Sequence, residues 1–109
     1  MRLSVLEPAT ARMLLQILRD LAPPATQEDG MLIRQVAAFD VAAMSAPQLV
    51  GEMERGLATL DVLARKLTRT NYMEIGERTL RRTLLSQISN DPLMERLGVR
   101  PPAYSSAAI

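Results

Sequence analysis

The clearest pattern in the chain is the series Leu49, Met53, Gly56, Leu60, Leu63 and Leu67, spaced 4, 3, 4, 3 and 4 residues apart. That spacing keeps every member on one face of a helix, so it predicts a helix over Pro47–Thr68 with a heptad-like seam. Val50, Leu57 and Ala64 widen the seam beyond a strict coiled coil, and Gly56 leaves a gap where another backbone can come close. Two uses of the seam stay open: plain intramolecular core, or core and subunit contact together.

A second helix is predicted just before it, over Thr26–Met44. Thr26 fits the N-cap, with Glu28 and Asp29 near the positive end of the helix dipole. Two apolar rows run along this segment, Leu32, Val36, Phe39 and Ala43 in one and Ile33, Ala37, Val41 and Met44 in the other. Between Met31 and Met44 only Arg34, Gln35 and Asp40 are polar. A helix apolar over most of its circumference needs cover on two sides. The tight link Ser45-Ala46-Pro47 makes the two helices an antiparallel hairpin over residues 26–68. One side of the second helix then faces the hairpin partner, and the other needs the first helix or another subunit.

The flanks are shorter. Pro8 suits a first helical position, and Met13, Leu14, Ile17, Leu18 and Leu21 recur at helical spacing until Pro23-Pro24 stops the ladder. Between Arg69 and Ile75 the chain is ambiguous. Thr70-Asn71 caps a new helix, or Tyr72–Ile75 forms a short extended piece ending at Gly76. Glu77–Ser89 reads as a helix with Leu80, Leu84, Leu85 and Ile88 on one face. Asn90-Asp91-Pro92 interrupts it, a short helical turn covers Pro92–Leu97, and Gly98 ends that turn. The expected fold is therefore all-α: a central hairpin with short flanking helices in one domain, residues 1–98, and an extended tail, residues 99–109. With two sides of the hairpin to cover in a chain of 109 residues, assembly into a homo-oligomer is expected.

Composition then narrows the chemistry. Apolar residues make up 48% and charged residues 23%, which is globular, but there is one Phe, two Tyr and no Trp. Cysteine and histidine are both absent, which removes thiolate ligands and the commonest metal ligand and neutral-pH base. Lys66 is the only lysine, with no serine near it, and adjacent acids such as Glu52 and Glu54 point different ways on a helix. No glycine-rich phosphate loop occurs, so no catalytic residues, metal or cofactor are expected and the chain is not read as an enzyme. No apolar run approaches the roughly 20 residues of a membrane span. Arg12, Arg19 and Asp20 break the apolar pattern that a signal peptide would need, so a soluble, cytoplasmic protein is expected.

Charge is unevenly spread. Residues 1–64 hold five arginines against eight acids, net −3, whereas residues 65–109 hold eight cations against four acids, net +4. Arg65, Lys66 and Arg69, followed by Arg78, Arg81 and Arg82, could converge into a strip that contacts phosphates. The competing reading is a solvated face, with Asp61–Arg65, Glu74–Arg78 and Glu77–Arg81 as i, i+4 pairs and the cations of the third helix beside its negative end. No stacking aromatics or recognition helix accompany the strip, so any DNA contact would be weak and directed at the backbone.

The order of parts resembles the small terminase subunit of tailed phages. An acidic helix start at Glu28-Asp29 leads into an Ala-rich helix, a short link, a Leu-seamed helix, and the close Leu97-Gly98-Val99-Arg100-Pro101-Pro102. Residues 1–25 read as one helix without the basic leader or helix-turn-helix common in that family. This is most like the reduced version in a phage-like gene transfer agent, which packages host DNA with little sequence selection. The resemblance implies a non-catalytic adaptor whose Leu32, Val36, Phe39, Leu49, Met53, Leu57, Leu60, Leu63 and Leu67 build a ring. It implies that the tail, through Val99, Arg100, Pro101, Pro102 and Tyr104, engages a large terminase, and that double-stranded DNA is gripped non-specifically. The alternative is a helical structural or regulatory module, a chaperone or virion adaptor, that binds protein and no nucleic acid.

Overall fold

A computed structural model describes residues 3–22 and 29–97. Five helices carry the described chain: α1 Pro8–Leu21, α2 Asp29–Ser45, α3 Pro47–Thr68, α4 Arg78–Gln87 and α5 Pro92–Leu97. No strand occurs among the described residues. The chain is all-helical, as the periodicities require. The predicted Pro23-Pro24 stop, the Thr26 cap and the tail all lie outside the described residues.

The ambiguous stretch resolves as neither a full helix nor an extended piece. Tyr72–Glu74 is a single 3-10 turn, entered from Asn71, whose N–H donates to the Glu74 carboxylate at 3.0 Å. Asp61 accepts the Tyr72 N–H at 2.9 Å, and Arg65 donates to the Asn71 side-chain oxygen at 2.8 Å. The expected Asp61–Arg65 pairing thus gives way to contacts that fasten the turn to the end of α3. Backbone donors held at fixed positions outcompete a loose surface ion pair.

α3 is the hub, packing against α2, α4, α5 and the 3-10 turn, while α1 packs on α2 and α4. Every predicted inward residue of α1 is buried, from Met13 to Leu21. On α3 the buried set is Leu49, Met53, Gly56, Leu57, Leu60 and Ala64. Leu63 is only half-buried and Leu67 is 52% exposed. Leu67 lies 18 residues, five full turns, beyond Leu49, so it points to the same side. Its exposure means that the seam is uncovered at that end of α3.

The first row of α2 also enters the core: Leu32, Val36 and Ala43 are buried and Phe39 packs against them. Asp40 continues this inward row as a buried carboxylate, 2% exposed. It accepts three successive backbone N–H groups, from Ser4 at 2.6 Å and from Val5 and Leu6 at 2.8 Å. Those bonds, that from Leu6 first, hold its pKa below the ordinary carboxylate value even though burial pushes the other way. The segment before α1 is thereby tied to the middle of α2.

α5 docks on α3 at Gly56. A Cβ there would lie 2.5 Å from the Leu93 Cβ and 2.8 Å from the Asp91 carboxylate that receives the Leu93 N–H. Gly51, also within α3, would meet only the flexible end of Arg55, at 3.3 Å. Two alanine substitutions in one helix should therefore act in opposite directions in urea unfolding. Gly51→Ala gains about 0.5–1 kcal/mol from helix propensity. Gly56→Ala loses about 1–3 kcal/mol because α5 must shift. Equal effects would contradict the close docking of α5.

Candidate functional site

The six cations that the sequence groups into one strip divide in two. Arg78 and Arg81 turn inward. Arg78 donates through Nη2 to the carbonyls of Ala22 at 2.8 Å, Arg19 at 3.2 Å and Asp20 at 3.4 Å, placing its charge at the negative end of α1. Arg81 grips Asp20 with Nε at 2.8 Å and Nη2 at 3.0 Å, and its Nη1 donates to the Ile75 carbonyl at 2.6 Å. The expected Glu74–Arg78 and Glu77–Arg81 pairs are replaced by these longer-range contacts.

Asp20 is the centre of this arrangement. It is 1% exposed, and its two oxygens accept from Arg81 twice, from Gln16 Nε2 at 3.1 Å and from the Tyr72 hydroxyl at 2.5 Å. Those four donors fill the lone-pair directions of a carboxylate. Tyr72 is fully buried, and burial, followed by its bond to Asp20, pushes the phenol pKa well above its ordinary value. The same carboxylate raises the pKa of Arg81, so the guanidinium stays charged in this half-dry site. Neither Asp20 nor Tyr72 was expected to be special. The signal for Asp20 is its place in the inward row of α1, between Ile17 and Leu21.

Arg65, Lys66 and Arg69 face outward, all exposed, and Arg82 is half-buried. Arg69 ends α3 in the left-handed region, φ 65°, with its N–H on the Arg65 carbonyl at 2.9 Å. A second ion pair, Arg96–Glu52 at 2.9 Å, ties α5 to α3 near the surface.

The residues expected to build an oligomer are placed largely inside the single chain. Leu32, Val36, Leu49, Met53, Leu57 and Leu60 are buried in the core, Phe39 and Leu63 pack at its edge, and Leu67 is exposed. What remains open is the far side of α2, where Val41 is 63% and Met44 60% exposed, with Met31 at 42%. Ala38 and Ala42 are exposed beside them. The tail residues Val99, Arg100, Pro101, Pro102 and Tyr104 lie outside the described residues. Among the described residues no group of His, Cys, Asp or Glu is arranged to hold a metal ion, and no helix is long and apolar enough to cross a membrane.

Comparison with protein-family models, with curated proteins and with solved structures returns no match to this chain.

The Asp20 cluster predicts a graded response in denaturant unfolding. Asp20→Asn leaves Arg81 enclosed without its counter-charge and should cost about 2–4 kcal/mol, less than a fully sealed pair because 14% of the Arg81 side chain still reaches water. Tyr72→Phe removes one of the four donors and should cost about 1–2 kcal/mol. An Asp20→Asn protein as stable as wild type would show that the cluster does not hold α1 to α4.

Proposed function

We propose that this chain is a non-catalytic assembly adaptor for DNA packaging, of the small-terminase kind. In this reading copies of the chain join into a ring built on an antiparallel α2–α3 hairpin. The tail engages a large terminase that supplies the ATPase and nuclease chemistry, and double-stranded DNA is held by backbone contacts.

The observation that carries the assembly part is the uncovered side of α2. Val41 and Met44 stand more than half exposed on a helix whose opposite row is already used in the core. The exposed face they share with Ala38 and Ala42 contains one charge, Arg34, and no acid. A second copy is the occupant this reading assigns to it, because the chain resembles a subunit that forms rings of identical copies. The DNA-packaging part rests on the order of helices and on the Leu97–Pro102 close.

One observation favours the second reading, a protein-interaction module without nucleic acid. Arg78 and Arg81 are engaged inside the fold, which removes two of the six cations expected to touch phosphates. The packaging reading stands on the four that remain.

Light scattering coupled to size exclusion tests assembly directly. The wild-type chain should run as a multimer, and Val41→Asp with Met44→Asp should reduce it to a folded monomer. A wild-type monomer at high micromolar concentration would contradict the ring.

A further inference from the structure

The outer face of α3 carries a row that the core does not use. Arg55, Thr59, Val62 and Lys66 follow one another at intervals of 4, 3 and 4, Arg69 stands just past them as the left-handed cap of α3, and all are exposed. At 1.5 Å per residue the span from Arg55 to Arg69 is about 21 Å long. Arg65 lies beside it, also exposed. Glu52, on one flank, is bound by Arg96, and Asp61, on the other, is engaged by the Tyr72 N–H. Asp61 keeps its charge while it accepts that neutral N–H, so with Glu54 two acids stand against four cations and the face stays net positive.

We infer that this face of α3 is a docking surface for the phosphates of duplex DNA, with Arg55, Lys66 and Arg69 as the principal contacts. The inference rests on the DNA-contact part of the proposed function and redraws it: Arg55 enters, and Arg78 and Arg81 leave. Three features select a duplex. The face has no aromatic residue, so it offers no stacking platform for single strands. Val62 is the one large apolar residue on the row, at 43% exposure, too little for the desolvated anchor that a protein partner needs. Small side chains at Thr59 and Gly51 keep the backbone low, and the Arg55 guanidinium lies back over Gly51, so the ridge is narrow and cationic. A helix of that width fits the major groove of B-form DNA, whereas the major groove of A-form RNA is too narrow to admit it.

The test is a fluorescence-anisotropy titration of the full chain with a mixed-sequence DNA duplex across a salt series. Each lost phosphate contact lowers the slope of log affinity against log salt by about 0.9. Arg55→Gln with Lys66→Gln should therefore lower the slope by about 2 and weaken binding about tenfold or more at low salt. Arg69→Gly should lower it by about 1, and this variant relieves a left-handed residue, so weaker binding by it cannot be laid to unfolding. Arg12→Gln, an exposed cation on α1, should leave both quantities unchanged. If wild type binds DNA and the α3 variants keep its slope, the inference is overturned while DNA contact by another surface survives. If wild type binds no duplex even at low salt, both the inference and the DNA part of the function fail. In that case, a loss of self-association in the Arg55→Gln, Lys66→Gln protein would assign the row to contact between copies.

Discussion

A buried carboxylate needs donors on every side, and in this chain that requirement joins three segments distant in sequence. Asp20 stands at the end of α1, Tyr72 in the turn after α3, and Arg81 on α4, and none of the three is satisfied without the others. The cluster fixes where α1 ends against α4, and Arg78 strengthens the same junction by reaching the last carbonyls of α1. The turn at Tyr72 is a 3-10 turn rather than an extended piece because its N–H, its hydroxyl and the following Ile75 carbonyl are all held at once. Apolar packing supplies the bulk of the drive to fold. The polar cluster supplies the register.

That cluster also decides which charges are free to act. Six cations adjacent in sequence look like one strip, yet Arg78 and Arg81 belong to the interior, and the outward set is carried by α3 and Arg82. The same division occurs among the apolar residues. One row of α2 completes the core, and the other runs from half-buried Ile33 and Ala37 to exposed Val41 and Met44. A largely apolar face of α2, with Arg34 as its one charge, and a cationic face of α3 thus lie on consecutive helices, separated by Ala46 alone. This arrangement suits an adaptor that multiplies weak contacts by assembling.

Helix periodicity made most of the fold legible. α1 and α5 begin at the prolines that predict their starts, α3 matches its predicted span, and α4 is trimmed to Arg78–Gln87. Asp20 and Asp40 read in the sequence only as polar breaks in apolar patterns, yet each occupies an inward position, Asp20 beside Ile17 and Leu21 and Asp40 between Val36 and Ala43. Such a position is readable as a polar residue that must find donors, but apart from Gln16 the donors lie 34 to 61 residues away and sequence spacing does not name them. The i, i+4 pairs failed for the same reason. A local partner was visible in the sequence, and a better, distant one was not. Arg55 stands apart from the later cations in the sequence, yet the eleven residues from it to Lys66 are about three helical turns, which puts both on one side of α3 while keeping them apart along the axis.

The coupling between Asp20 and Arg81 tests the account most directly. A double-mutant cycle with Asp20→Leu and Arg81→Met, followed by urea unfolding, should give an interaction energy of about 2–3 kcal/mol, with the double variant far less destabilised than the sum of the single ones. Additive losses, agreeing within about 0.5 kcal/mol, would contradict it. They would mean that the two residues do not act as one unit, and Arg81 would return to the cations available at the surface.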